Sequence, residues 1–142
     1  MTLFEIINIL KEIAISKPNI NYVGEGDIYI LNSLPNIDYS VFFITQGNHT
    51  VDAERNVITY SLNLFYIDRL LDDASNRLLV QSNGVESLLN IINEFVESNE
   101  DIVIASDIRF TSFNQRFSDN CCGVFCTVDF EVENNIGLCS YE

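Results

Sequence analysis

Every second residue from Ile58 to Tyr66 is apolar, and so is every second residue from Val124 to Val132. Strand side chains point alternately to opposite faces. Ile58, Tyr60, Leu62, Leu64 and Tyr66 therefore share one face of an extended segment. Val124, Cys126, Val128, Phe130 and Val132 share one face of another, with Thr127, Asp129 and Glu131 turned the other way. Both runs predict half-buried sheet strands.

Helical spacing governs two other segments. Thr2 followed by Glu5 is a capping-box pattern, and Leu3, Ile6, Ile7, Leu10, Ile13 and Ala14 recur on one helical face. A helix is expected from about Thr2 to Ile15, ending near Lys17-Pro18 because the residue before proline avoids the α region. Val85, Leu88, Leu89, Ile92 and Phe95 predict a second helix. It starts between Ser75 and Asn83 and stops around Ser98-Asn99. Gly84 marks either that start or a close approach to another backbone, at a helical cost of about 1 kcal/mol relative to Ala.

Tyr22-Val23 and Ile28–Leu31 are short strand candidates around a hairpin-like turn at Gly24–Asp27. Ser40–Gln46 is apolar on both faces in its middle and reads as a central strand. The polar stretch Gly47–Asn56 joins it to the strand Val57–Asp68, as a hairpin with a tip longer than two to five residues. Such extra length reads as a contact device. Asp68–Asn76 is turn-rich, Asp101–Phe110 is a strand candidate, Thr111–Asn120 is polar, and Cys121–Glu133 carries the last strand. Asn134–Glu142 is a weakly determined tail. Helix, strands, helix, strands in this order predicts an α+β domain over residues 1–142, with a mainly antiparallel sheet and two helices packed on it.

Two positions disturb the alternation. Phe65 and Ile67 share the parity of Val57, Thr59, Ser61 and Asn63, an otherwise polar face. Something must cover them, either a helix of the same chain or a neighbouring subunit. Phe113, Gln115, Arg116 and Phe117 form an aromatic–arginine cluster of a kind enriched at interfaces, or else a local loop core.

Composition narrows the function classes. A chain of 142 residues is one domain's length. It buries roughly 68–70% of its unfolded surface and needs no metal or disulfide staple. Twenty-one acids against seven bases give a net charge of −14, and the bases are scattered. That balance disfavours nucleic acid and anionic membrane as binding partners, since both need clustered Lys and Arg. It marks either a well-solvated surface or one that DNA must pass without sticking. Glu5 interrupts the first apolar run, no basic segment precedes it, and no run approaches the ~20 apolar residues of a membrane span. A reducing compartment and free thiols are expected.

The candidate chemistry is sparse. Cys121, Cys122, Cys126 and Cys139 hold one cysteine cluster and a lone residue, without the second knuckle of a structural zinc site. Cys122 and Cys126 share strand parity with Val124, which favours core thiols. The single histidine, His49, lies in the hairpin tip, and nothing in the sequence brings it to Cys121 as a base. Asp72-Asp73 and Glu25-x-Asp27 read as turn formers, and Gly24-x-Gly26 lacks the context of a nucleotide loop. No catalytic residue, metal or cofactor is expected.

Four segments carry a family likeness: T-Q-G-N-H-T (Thr45–Thr50), L-N-L-F-Y-I-D-R-L (Leu62–Leu70), Q-S-N-G-V-E-S-L-L-N-I-I (Gln81–Ile92) and F-N-Q-R-F-S-D-N-C-C-G-V-F-C (Phe113–Cys126). Together they resemble small virion proteins of tailed phages of the crAss-like type, and are similar to tail terminator or tail completion proteins. The resemblance implies a non-enzymatic α+β subunit in a homo-oligomeric ring at the head–tail neck or tail end. DNA passes through such a ring without sequence-specific binding. The implied partners are other neck, portal or tail proteins, with no membrane. The implied location is the virion, after synthesis in the host cytoplasm. Mapped by position, the tip with His49, Asp52, Glu54 and Arg55 corresponds to a reaching hairpin. Phe65, Ile67 and the stretch Phe113, Gln115, Arg116 and Phe117 are candidate subunit contacts. The alternative is a small acidic protein-binding adaptor acting as monomer or dimer.

Overall fold

The computed structural model describes residues 1–33, 37–71, 73–105, 107–114 and 121–135. The elements are α1 (Leu3–Ile15), β1 (Tyr22–Glu25), the single turn α2 (Ile30–Ser33), β2 (Val41–Gln46), β3 (Thr50–Asp52), β4 (Val57–Arg69), α3 (Arg77–Ser98), β5 (Val103–Ile104), β6 (Phe110–Asn114) and β7 (Cys121–Glu133). The seven strands form one sheet in the order β1-β2-β4-β7-β5, with β3 added to β4 and β6 added to β7. β1 and β2 are parallel and every other pair is antiparallel. The fold is α+β with a mainly antiparallel sheet, as the patterning predicts.

The two alternating runs become the two central strands. β4 and β7 pair along their full lengths, from Val57 opposite Glu133 to Arg69 opposite Cys121. Their even-numbered residues meet α1 and α3 in the main core, with Phe42, Ile44, Leu62, Leu64, Phe95 and Phe130 almost wholly buried. α1 docks Ile6, Ile7, Leu10 and Ala14, one helical face, after Thr2 and Glu5 form the predicted capping box. α3 docks Val80, Gly84, Leu88, Ile91, Ile92 and Phe95. The Phe95 ring meets Phe130 edge-on, with centroids 5.1 Å apart. Lys17 pairs with Glu94, and Asn19 Nδ2 donates to Ser87 Oγ at 2.7 Å, tying the end of α1 to α3.

Several local expectations are corrected. Ile28–Leu31 is not a strand. Asp27 Oδ1 accepts from the Tyr29 N–H at 3.0 Å and Gly26 adopts φ +126°, which turns the chain into α2. Gly24–Asp27 is accordingly not a hairpin turn, and β2 instead runs parallel to β1. The strand expected over Asp101–Phe110 shrinks to β5, and the polar stretch after it opens with β6. α3 begins at Arg77, so Gly84 lies inside it.

Gly84 does mark a close approach, but to the side chains of Val124 and Tyr66 rather than to another backbone. A Cβ built there would sit 2.7 Å from Val124 Cγ2 and 2.9 Å from Tyr66 Cδ1. Helix propensity alone would make Gly84→Ala stabilising by about 1 kcal/mol. Overpacking a filled core costs about 1–3 kcal/mol. We expect a net loss, read as a lower urea midpoint for Gly84→Ala. A raised midpoint would mean that α3 is not seated on Tyr66 and Val124 as described.

Candidate contact surface at the hairpin end

The stretch Gly47–Asn56 is not a projecting loop. Gln46 pairs with Leu62 and Thr50 with Thr59, so residues 47–49 face only Ser61 and Tyr60. One extra residue on one strand is a β-bulge, and β3 is the continuation of β2 beyond it. What remains of the tip is the turn 53–56, closed with Asn56 at φ 55°. The hairpin end is also bound to its own chain. The Asn134 N–H donates to the Asn56 carbonyl at 2.9 Å, and Asn56 Nδ2 donates to the Asn134 carbonyl at 3.1 Å.

Each predicted tip residue has a defined place. Asp52 caps the turn, accepting from the N–H groups of Glu54 at 3.0 Å and Arg55 at 3.1 Å. Arg55 Nε donates to Asp52 at 2.9 Å, and its Nη1 reaches Glu131 on β7 at 3.1 Å. Glu54 and Arg55 are exposed. His49 is exposed too, yet its Nδ1 accepts from the Ser61 N–H at 3.2 Å. Exposed ion pairs of this kind contribute little to overall stability, but they hold the end of the hairpin in one shape.

The aromatic candidates lie elsewhere on the sheet. Phe65 and Ile67 belong to a second core on the face away from α1 and α3, with Val41, Phe43, Phe113 and Cys121. Leu31 and Ile37, from the crossover between β1 and β2, cover it. Phe65 is 6% and Ile67 1% exposed, so their own chain supplies the cover and leaves no surface for a neighbour. Phe113 is buried on β6 and meets Phe65 edge-on at 6.3 Å. Phe125 stacks on Phe65 at 5.2 Å. Gln115, Arg116 and Phe117 lie outside the described residues.

Beyond this core the second face carries a polar row. Asn63 Nδ2 donates to Thr45 Oγ1 at 3.1 Å and Thr127 Oγ1 donates to Asn63 Oδ1 at 2.7 Å, a row across β2, β4 and β7. Sequence reading had the parity of these residues but not their alignment, which depends on register. The bulge was likewise missed; a glycine two residues before the histidine, where strand pattern lapses, was its one trace.

Two of the clefts among the described residues carry polar and charged side chains. One of about 500 Å³ lies between the first turn of α1, the end of α3 and β7, and carries Glu5, Glu100, Asp101 and Glu133. Another of about 390 Å³ is lined by Lys17, Asn19, Tyr66, Asn83, Ser87 and Asn90. Burial raises the Tyr66 hydroxyl above its ordinary range, partly offset by a hydrogen bond with Ser40. The cysteines are packed as core thiols, Cys122 and Cys126 in the main core and Cys121 in the second. Burial pushes Cys126 up to about 12 and Cys122 upward. Cys139 lies outside the described residues. His49, beside Ser61, and Cys121, opposite Arg69, are separated by eight strand positions, roughly 26 Å. Among the described residues no three His, Cys, Asp or Glu side chains gather as metal ligands, and no helix is long and apolar enough to cross a membrane.

Compared with known proteins, the chain matches no family model and no curated sequence.

The Asp52 carboxyl is held below its ordinary value of 3.8, first by the Arg55 N–H and then by the Arg55 guanidinium. The folded hairpin end thus prefers the carboxylate. Its contribution is present above 3.8 and is lost as pH falls through the lowered folded value. An NMR titration of the Asp52 carboxyl should give a midpoint below 3.8. In Arg55→Ala it should rise only part of the way back, because the backbone donor at residue 55 remains. No rise would show that the guanidinium is not engaged.

Proposed function

We propose that the protein is a non-enzymatic structural subunit of a tailed-phage virion. It closes with copies of itself into a ring at the head–tail neck or tail end, joining or capping the tail around a DNA channel. The observation that carries this reading is the exposed apolar side chains just before α3 and in its first turn. Leu71, Leu78 and Leu79 are 57%, 76% and 63% exposed on a chain of net charge −14. Large apolar side chains left exposed on a strongly acidic chain are candidates for a contact site.

Two further features support the reading. The sheet ends in β1 on one side and in β5 and β6 on the other. Opposite flanks that differ suit a head-to-tail interface, which closes into a ring when its rotation permits. The acidic balance suits a conduit, because phosphate is repelled along its wall. The resemblance of the four segments between Thr45 and Cys126 to phage tail proteins supports this class of assembly, and the proposal takes from it other neck, portal or tail proteins as partners and the virion as location. A small acidic adaptor of the same fold is the rival, and it would remain a monomer or dimer.

Native mass spectrometry of the purified chain separates the two. A closed cyclic oligomer is expected, and Leu78→Glu combined with Leu79→Glu should give monomers with an unchanged circular dichroism spectrum. A wild-type chain that stays monomeric at high concentration and is missing from purified virions would overturn the proposal.

A further inference from the structure

The bulge at residues 47–49 places a titratable ring inside the hydrogen-bond ladder of the sheet. In a regular antiparallel pair, Gly47 and Ser61 would exchange two backbone bonds. The Gly47 N–H does donate to the Ser61 carbonyl, at 2.8 Å. The Ser61 N–H, however, goes to His49 Nδ1 at 3.2 Å. An imidazole nitrogen thus stands where a backbone carbonyl would be. Nε2 of the same ring lies 3.1 Å from Gln46 Oε1. An amide oxygen can only accept, so the ring hydrogen belongs on Nε2 and Nδ1 is bare. The ring also meets Tyr60 edge-on, with centroids 5.5 Å apart.

We propose that His49 is a proton-operated latch on the outer part of the hairpin. Imidazolium carries hydrogen on both nitrogens. A proton on Nδ1 would face the Ser61 N–H, donor against donor, so the bond must break. The bulge and β3 then loosen, while the turn beyond them stays tied through Asn56 and Asn134. Opening uncovers the edge of β4 at Thr59–Ser61, a row of backbone donors and acceptors able to take another strand.

The charged groups around the latch come from each neighbouring element. On its own hairpin are Asp52 and Arg55, paired with each other. β4 contributes the Tyr60 ring. From β7, Asp129 lies opposite Ser61, and Glu131 opposite Thr59 with Arg55 upon it. Lys11 of α1 and Glu25 of β1 line a groove with Gln46. His49 is the chain's one histidine.

Backbone amide hydrogen exchange followed by NMR tests the latch without a variant. After correction for intrinsic rates, protection of the Ser61 amide should fall about fivefold or more between about pH 7.5 and pH 5. The Leu64 and Tyr66 amides, deeper in the sheet, should not change. His49→Phe keeps a ring against Tyr60 but has no acceptor, so Ser61 should be weakly protected at both pH values. Equal Ser61 protection at both pH values in the wild type, or a pH response that survives in His49→Phe, would overturn the proposal.

Discussion

The pairing of β4 with β7 is the constraint on which the rest of the structure depends. Thirteen residues of one strand lie in unbroken antiparallel register against thirteen of the other. Because side chains alternate, an unbroken register carries one apolar face across both strands and separates it from the other. A slip of one residue in either strand would turn that strand's core residues to the wrong side. Two glycines secure the arrangement. Gly123 faces Ile67, and a Cβ there would collide with the Tyr66 carbonyl oxygen. Gly84 lets α3 rest on the Tyr66 ring and on Val124. Helix and both strands therefore meet around Tyr66, where bulk is least tolerated.

The two faces of this pair meet different demands. The first is apolar from Ile58 to Tyr66 and from Cys122 to Val132 and needs the two long helices to cover it. The second is apolar only where Phe43, Phe65, Ile67, Phe113 and Cys121 gather, and the short crossover with Leu31 and Ile37 suffices there. Where that crossover ends, the face turns polar and satisfies itself through the row Thr45, Asn63 and Thr127. The hairpin end with its bulge lies beyond this row. It is fastened by hydrogen bonds and exposed ion pairs, which yield to pH and salt more readily than a packed core. A response to solution conditions is therefore easier at that end of the molecule than in either packed core.

Much of this architecture was legible in the residue order. The capping box at Thr2 and Glu5, the inward stripe of α1 and the alternation in β4 and β7 are local patterns, and local patterns have the period of the element they form. The odd apolar pair Phe65 and Ile67 announced that the second face was covered. Ile28–Leu31 misled because a short apolar run fits a strand or a helical turn equally well. There the side chain of Asp27 and the φ of Gly26 decided. Gly47–Asn56 misled because it is polar, and a three-residue strand at a sheet edge needs no apolar signal when backbone bonds hold it.

By itself the sequence determined which residues form long strands and helices, which faces are buried, and that the surface is strongly acidic. These follow from periodicity and composition, which are properties of neighbours along the chain. Only the tertiary structure decided that β1 runs parallel to β2, that the same chain covers Phe65 and Ile67, and that His49 accepts a ladder hydrogen bond from Ser61. Each of these depends on which residues far apart in sequence come to lie opposite one another. A one-residue bulge changes that register without leaving a period of its own.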